Sequence, residues 1–176
     1  MESIKYKNHT INIVDDECPE SPREWDNLGK MICFHSRYDL GDKHDINHDD
    51  YDGWDAMEKH LAKEYDGVIL PLYLYDHSGI TMNTTGFSCN WDSGQLGFIC
   101  VSKESIRKWH SWKNITKKRL DTISKYLVNE VGTYDKYLTG EVYGFEVKDN
   151  KGDIVDSCYG FYNKEDAIND AKGCIS

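Results

Sequence analysis

The sequence has no long apolar run and little proline, and each absence narrows the class of protein. Nowhere do eighteen apolar residues follow one another, and no basic stretch leads into an apolar one near the first residue. We therefore expect neither a membrane span nor a signal peptide, and a cytoplasmic location. With 3 prolines, 12 tyrosines and 5 tryptophans, the composition favours a folded core over disorder.

Cysteine is present, but not in the spacing of a metal site. The 6 cysteines lie far apart, and no two of them show the C-x-x-C spacing of zinc sites. In a reducing cytoplasm, widely spaced cysteines favour free thiols over disulfides. The cysteines therefore predict neither a metal centre nor a disulfide framework.

Length and apolar periodicity predict one α+β domain over residues 1–176, with a mainly antiparallel sheet. A chain with 39% hydrophobic residues at this length can bury one sizeable core. Apolar residues at three- and four-residue steps predict two principal helices, at about 54–66 and 116–138. Asp52 is the expected cap of the first, and Ser102 caps a shorter helix between them.

The segment 68–75, VILPLYLY, is nearly all apolar and predicts a strand that is buried on both faces. Pro71 within it has no backbone N–H to donate, which indicates a sheet edge or a bulge at that point.

Acidic residues are concentrated in one part of the chain. Residues 15–66 contain sixteen Asp and Glu against six Lys and Arg, a balance of −10, and the formal net charge of the whole chain is also −10. The formal charges of the remaining residues therefore sum to zero. Such a one-sided field repels nucleic acid and attracts basic protein surfaces.

Residues 42–53 combine carboxylates with His44 and His48, which is ligand chemistry for zinc or a hard cation. A calcium loop starting at Asp45 fails, because Asp50 stands where the loop needs glycine. Zinc would need more ligands than the two imidazoles. We therefore predict no bound metal and no cofactor.

Residues at the turns of segment 70–98 form a candidate catalytic site. In a hydrolase, Cys89 or Ser93 would be the nucleophile, His77 the base, and Asp76 or Asp92 the orienting carboxylate. A metal-assisted nuclease built on the same 76–95 loop is a further possibility. Ser93 stands in D-S-G, however, and not in the G-x-S-x-G of a nucleophile elbow.

The same turn residues also have a purely structural interpretation. Asp76 and Asp92 are typical of Asx turns, and glycines at 79 and 94 suit tight turns. In this interpretation Trp91 closes the end of the sheet.

The segment 101–125 carries the opposite charge. It contains eight Lys and Arg against two acids, interleaved with Trp109, His110 and Trp112. A basic helix with aromatic side chains can contact phosphates and stack on bases. The candidate nucleic-acid-binding residues are Arg107, Lys113, Lys117, Lys118 and Arg119. They are also consistent with the solvated start of an amphipathic helix.

Several longer segments carry a resemblance to a known group of proteins. They are PESPREWDNLG (19–29), HSRYDLGDKHD (35–45), LPLYLYDHSGITMNTTGFSCNWDSGQLGFI (70–99), YLTGEVYGFEV (137–147) and DSCYGFY (156–162). Together they resemble a family of small proteins carried by phages and plasmids of low-GC Gram-positive bacteria. Some small acidic proteins of such elements are anti-CRISPR or antirestriction proteins. The resemblance implies no catalytic residue.

The resemblance and the acidic block together suggest an inhibitor of a host defence nuclease or CRISPR effector complex. A folded anionic surface can occupy the cationic groove that such a nuclease offers to nucleic acid. Tyr51 and Trp54 would be apolar anchors of this interface. The predicted phosphate mimics are Asp39, Asp42, Asp45, Asp49, Asp50, Asp52 and Asp55. A structural or regulatory protein of a mobile element is the remaining alternative.

Overall fold

Residues 2–89 and 91–175, the part of the chain that the computed structural model describes, form an α+β fold of eight β-strands and four α-helices. The chain divides into two compact units. The first contains the residues up to 24 and from 136 onwards, and the second contains residues 25–135. No helix among the described residues combines the length and the apolar character that crossing a bilayer requires.

The elements follow one another in a mixed order. The strands are β1 (Glu2–Tyr6), β2 (His9–Asp15), β3 (Lys30–Cys33), β4 (Asp66–Asp76), β5 (Ile80–Asn83), β6 (Ser93–Ser102), β7 (Tyr143–Lys148) and β8 (Ile154–Phe161). The helices are α1 (Trp54–Tyr65), α2 (Lys103–His110), α3 (Lys117–Thr139) and α4 (Lys164–Gly173).

The first unit is a four-stranded antiparallel sheet in the order β1-β2-β7-β8, with α4 packed on β2, β7 and β8. Ile11 pairs with Val147 and Ile13 with Phe145, so alternate residues of both central strands point to one face. Helix α4 buries its small alanines against that face. The core of this unit consists of Ile11, Ile13, Phe145, Val147, Ala167, Ala171 and Ile175.

Strand β8 is an exposed edge of this sheet. Within the described residues it pairs with β7 on one side, and residues 154–160 are exposed on both faces. Two register shifts interrupt its ladder with β7, and Gly160 has a left-handed φ of 88°. The edge is therefore irregular as well as open.

The second unit contains an antiparallel sheet in the order β3-β6-β4-β5. Strand β6 lies in its interior, and residues 96–101 are all buried. Helices α1 and α2 pack on β4 and β6. The core under α1 consists of Ile32, Met57, Leu61, Phe98 and Cys100.

Helix α3 is joined to the sheet of the second unit by carboxylates as well as by packing. Glu130 accepts hydrogen bonds from the backbone N of Leu28 at 2.9 Å and of Gly29 at 3.1 Å. Asp135 accepts one from the N of Met82 at 2.6 Å. The buried stripe of the helix is Ile123, Leu127, Val131 and Tyr134.

Strand β4 agrees only in part with its prediction. Val68, Leu72 and Leu74 are buried, but the residues between them are only half-buried, so one face is covered less completely than expected. The expected irregularity at Pro71 is confirmed. Strand β5 pairs with β4 only from Tyr73 onwards, and the β4–β6 register shifts directly after Leu72.

The α+β class and the two principal helices are confirmed, with α1 and α3 close to the predicted bounds. The strands form two sheets where one was predicted, and α4 has no counterpart in the prediction. Asp52 does not cap α1: Gly53 occupies the capping position without a side-chain hydrogen bond. Ser102 does cap α2, because its hydroxyl accepts from the Ser105 N at 3.0 Å. The single domain over residues 1–176 stays a prediction.

The close approach of β3 to β6 at Gly97 gives a test of this fold. A Cβ atom at Gly97 would lie 1.9 Å from the Ile32 carbonyl oxygen, whereas one at Gly94 on the same strand would meet nothing within 4 Å. We expect Gly97→Ala to lower the free energy of unfolding by about 3 kcal/mol, because the backbone of β3 must move. Gly94→Ala is the matched control, with a change within about 1 kcal/mol. Urea denaturation followed by circular dichroism measures both, and equal stability of the two variants would contradict the packing.

Candidate functional site

The acidic segment, defined as residues 39–55, leads from the loop after β3 into the first turn of α1. Six of its seven predicted phosphate mimics have exposed side chains, and Asp49 is 92% exposed. These six are Asp39, Asp45, Asp49, Asp50, Asp52 and Asp55.

Asp42, the seventh predicted phosphate mimic, binds the acidic segment to β3 through two hydrogen bonds. Its carboxylate accepts a hydrogen bond from the N of Met31 at 2.8 Å, and its own N donates to the Met31 carbonyl at 2.8 Å. His44 adds a bond between its Nε2 and the carbonyl oxygen of Cys33 at 3.0 Å. The exposed aspartates are therefore carried by a backbone that is held in place.

The two predicted anchors, Tyr51 and Trp54, pack on the core and are only partly exposed to solvent. Both are half-buried and pack on the core under α1. The Trp54 ring lies 4.8 Å from His48 and 6.0 Å from Phe98, measured between ring centroids. These side chains hold the segment against the core under α1, and they offer a partner only part of their surface.

The histidines of the segment take part in packing. The rings of His44 and His48 meet the Phe34 ring edge-on, at centroid distances of 4.9 and 5.5 Å. In the part of the chain that the structure describes, no group of three or more His, Cys, Asp or Glu is arranged to hold a metal ion.

The predicted catalytic residues do come together, at the end of the sheet where β4 ends and β6 begins. Asp92 is the common partner. Its Oδ2 lies 3.4 Å from His77 Nδ1 and 3.7 Å from Cys89 Sγ. The backbone N of Asp76 donates to the Asp92 carbonyl at 2.8 Å, and the Ser93 hydroxyl donates to the Cys89 carbonyl.

This arrangement differs from a Cys–His dyad. The carboxylate of Asp92 lies between the thiol and the imidazole, where a dyad would have a direct contact between Cys89 and His77. The Ser93 hydroxyl is engaged in a hydrogen bond within the turn, to the Cys89 carbonyl. What the geometry retains is an Asp92–His77 pair with an exposed imidazole, which is the arrangement that orients a general base.

Asp76 has a separate, structural role. Its Oδ2 pairs with the Arg37 guanidinium and lies 3.9 Å from His35 Nε2. The Nδ1 atom of His35 accepts from the backbone N of Arg37 and of Tyr38, both at 3.2 Å. These two donors assign the ring proton to Nε2, which faces the carboxylate. Asp76 therefore holds the loop after β3 against the end of β4.

These contacts border a cleft of about 390 Å³. Its lining includes His35, Arg37, Asp76, Trp91, Asp92 and Gln95. Trp91 was predicted to close the end of the sheet, and that prediction is wrong, since its side chain is 96% exposed.

The sequence prediction of the site missed His35 and Arg37. Both lie in HSRYD, some forty residues before the 76–95 loop, and no local spacing links the two segments. The signal available was the position of HSRYD directly after the strand 30–33, where a loop can reach the same sheet end.

The basic residues lie on α2, on α3 and in the loop between them. Arg107, Lys113, Lys117 and Lys118 are exposed. Arg119 instead stacks on Trp112, with its guanidinium carbon 4.6 Å from the ring centroid. His110 stacks on Trp112 at 4.2 Å, with 14° between the ring planes. Trp109 and Tyr126 add exposed aromatic surface, at 39% and 38% exposure.

The six cysteines all carry free thiols, and they differ in exposure. Burial, assisted by the charge of Glu64, raises the pKa of the buried Cys100 thiol to about 12. The pKa of Cys174 is also raised, first by a hydrogen bond with Asp156. Neither thiol is activated as a nucleophile.

The chain matches no family model, no curated protein and no solved structure. The candidate sites therefore rest on the geometry and chemistry described above.

Thiol alkylation tests these assignments. At pH 8 we expect iodoacetamide to modify the exposed Cys18 readily and Cys100 not at all, because a thiol with a pKa of about 12 has almost no thiolate there. The raised pKa of Cys174 keeps it protonated up to a higher pH. Asp156→Asn should therefore speed its alkylation at pH 8, and the exposed Asp153→Asn is the control. Peptide mass spectrometry over time gives the rates, and unchanged labelling of Cys174 in Asp156→Asn would contradict the assignment.

Proposed function

We propose that this protein inhibits a nucleic-acid-targeting defence nuclease of a bacterial host by placing the acidic segment against the basic groove of the nuclease. One observation carries the proposal: six exposed aspartates stand on a segment whose backbone is bonded to β3 through Asp42 and His44. The resemblance to phage and plasmid proteins supports the same context.

The physical basis is competition for cations. A nuclease groove presents Lys and Arg to phosphates, and a folded row of carboxylates attracts the same side chains without offering a bond to cleave. Because the segment is already ordered, little conformational entropy is lost when the partner binds. An acidic tail of equal charge that lacked these bonds would lose more conformational entropy on binding.

Charge neutralisation tests the proposal. We expect replacement of Asp45, Asp49, Asp50 and Asp52 by Asn to weaken inhibition by at least about tenfold, because the lost charges steer and pair with the groove. Inhibition by the unchanged protein should also weaken steeply with added salt. The measurement is the cleavage of plasmid DNA by purified RNA-guided and restriction nucleases of low-GC Gram-positive bacteria.

The matched control removes four exposed acids of the first unit, as Glu2→Gln, Glu141→Gln, Asp153→Asn and Asp170→Asn. Its net charge equals that of the acidic-segment variant. If both variants lost inhibition equally, the loss would come from net charge alone, and the acidic segment would not be the binding surface. No inhibition of any nuclease by the unchanged protein would overturn the proposal.

A nucleic-acid-binding accessory function is the second candidate, and the basic segment, residues 101–125, supports it. Lys113, Lys117 and Lys118 are exposed, and the rings of Trp109 and Tyr126, close to them in the chain, are exposed as well. Cations beside exposed aromatic rings are typical of single-strand binding.

Reversal of these charges tests the second candidate. Lys113→Glu, Lys117→Glu and Lys118→Glu together should abolish binding of a labelled single-stranded oligonucleotide, as measured by fluorescence anisotropy. The control is Lys30→Glu, Lys59→Glu and Lys63→Glu, which reverses three exposed lysines elsewhere in the second unit. If the unchanged protein binds with no salt dependence, or if the control loses binding equally, the basic segment is not the site.

The hydrolase alternative at the 76–95 loop has less support. Asp92 separates Cys89 from His77, and Ser93 is bonded within its turn. The hydrolase alternative would regain support if the unchanged protein had a hydrolytic activity that His77→Ala abolishes without changing the fold.

A further inference from the structure

Trp91 is the most exposed tryptophan of the described residues, and it stands beside a polar cleft. Its side chain is 96% exposed, compared with 44% for Trp25 and 39% for Trp109. Tryptophan is the residue most enriched among the energetically dominant residues of protein interfaces, because its burial on binding removes a large apolar area from water. The ring and the cleft together therefore form a candidate recognition site.

The charge of the cleft selects the kind of ligand. Two carboxylates, Asp76 and Asp92, face one guanidinium, that of Arg37. Arg37 is already paired with Asp76, so the Asp92 carboxylate supplies the excess formal charge of the cleft lining. Asp92 contacts His77 and Cys89 through the same oxygen, Oδ2, and its Oδ1 takes part in neither contact. An anionic ligand is disfavoured here, and a cationic one is favoured.

The ring determines the shape of that cation. A guanidinium is planar and stacks on an indole face, whereas an ammonium is a compact and strongly hydrated charge. A guanidinium can also form a charge-assisted hydrogen bond with a carboxylate beside the ring. The Arg119–Trp112 pair, with 4.6 Å between guanidinium carbon and ring centroid, shows the same stacking within this chain.

We infer that the cleft accepts an arginine side chain of the protein partner, stacked on Trp91 and paired with Asp92. The inference rests on the proposed function, since it names the side chain of the basic partner that is recognised. The cleft and the acidic segment are neighbours, because Phe34 and His35 line both this cleft and a second pocket whose lining includes Asp49. The aspartates then supply general attraction, and the cleft supplies the choice of arginine over lysine.

The test uses a tripeptide as probe. Acetyl-Gly-Arg-Gly-amide is titrated into the full chain while the indole N–H signals are followed by NMR, and the Trp91 signal is assigned with Trp91→Phe. We expect the Trp91 signal to shift with saturation, and acetyl-Gly-Lys-Gly-amide to bind at least about fivefold more weakly. Asp92→Asn should weaken arginine binding by a similar factor. Asp121→Asn, an exposed acid on α3, is the control and should have no effect.

The outcomes separate this inference from the proposed function. Absence of a saturable shift, equal binding of the lysine peptide, or a shift produced by adenosine monophosphate instead would each overturn the arginine site. The nuclease assay with the acidic-segment variant is independent of this cleft. If that assay shows the expected loss while the arginine peptide does not bind, the proposed function stands and only the arginine site fails.

Discussion

The close approach of β3 to β6 at Gly97 constrains everything else in the second unit. A hydrogen atom is all that fits on the Cα of this residue, because the Ile32 carbonyl occupies the place of a side chain. The register that follows, Cys33 opposite Gly97, fixes where β3 ends. The loop after β3 then reaches the end of β4, where Asp76 holds it, and the acidic segment begins in the same loop. The cleft and the acidic segment therefore both adjoin the loop that follows this strand pairing.

Much of the fold could be predicted because its signals are local. The stripe from Ile123 to Tyr134 has helical spacing, and the serine at 102 caps the helix that follows it. Helix α4 could not be predicted in this way, since its buried face consists of two alanines, which carry little periodic signal. The division of the strands into two sheets could not be predicted from the sequence for another reason. Strand β2 pairs with β7, more than a hundred residues away, and alternation alone does not identify a partner strand.

The candidate sites were predictable to a similar degree. Turn chemistry placed Asp76, His77, Cys89 and Asp92 at one sheet end, and charge counting identified the acidic segment. The contacts between them depend on side-chain positions that spacing does not encode. Asp92 lies between the thiol and the imidazole, Asp42 bonds to Met31 instead of facing solvent, and Trp91 turns outwards. Each of these details changes the chemistry that the residues can perform.

Strand β8 has a consequence for how this protein behaves at high concentration. Its open edge offers unpaired backbone groups to any other extended chain, and Ile154, Val155 and Tyr159 are all about half exposed on it. Helix α4 packs on β8, yet the side chains of residues 154–160 remain exposed. Protection comes from Asp153 and Asp156, from two register shifts and from the left-handed Gly160. The carboxylates that oppose edge-to-edge pairing thus belong to the first unit, far along the sequence from those of the acidic segment.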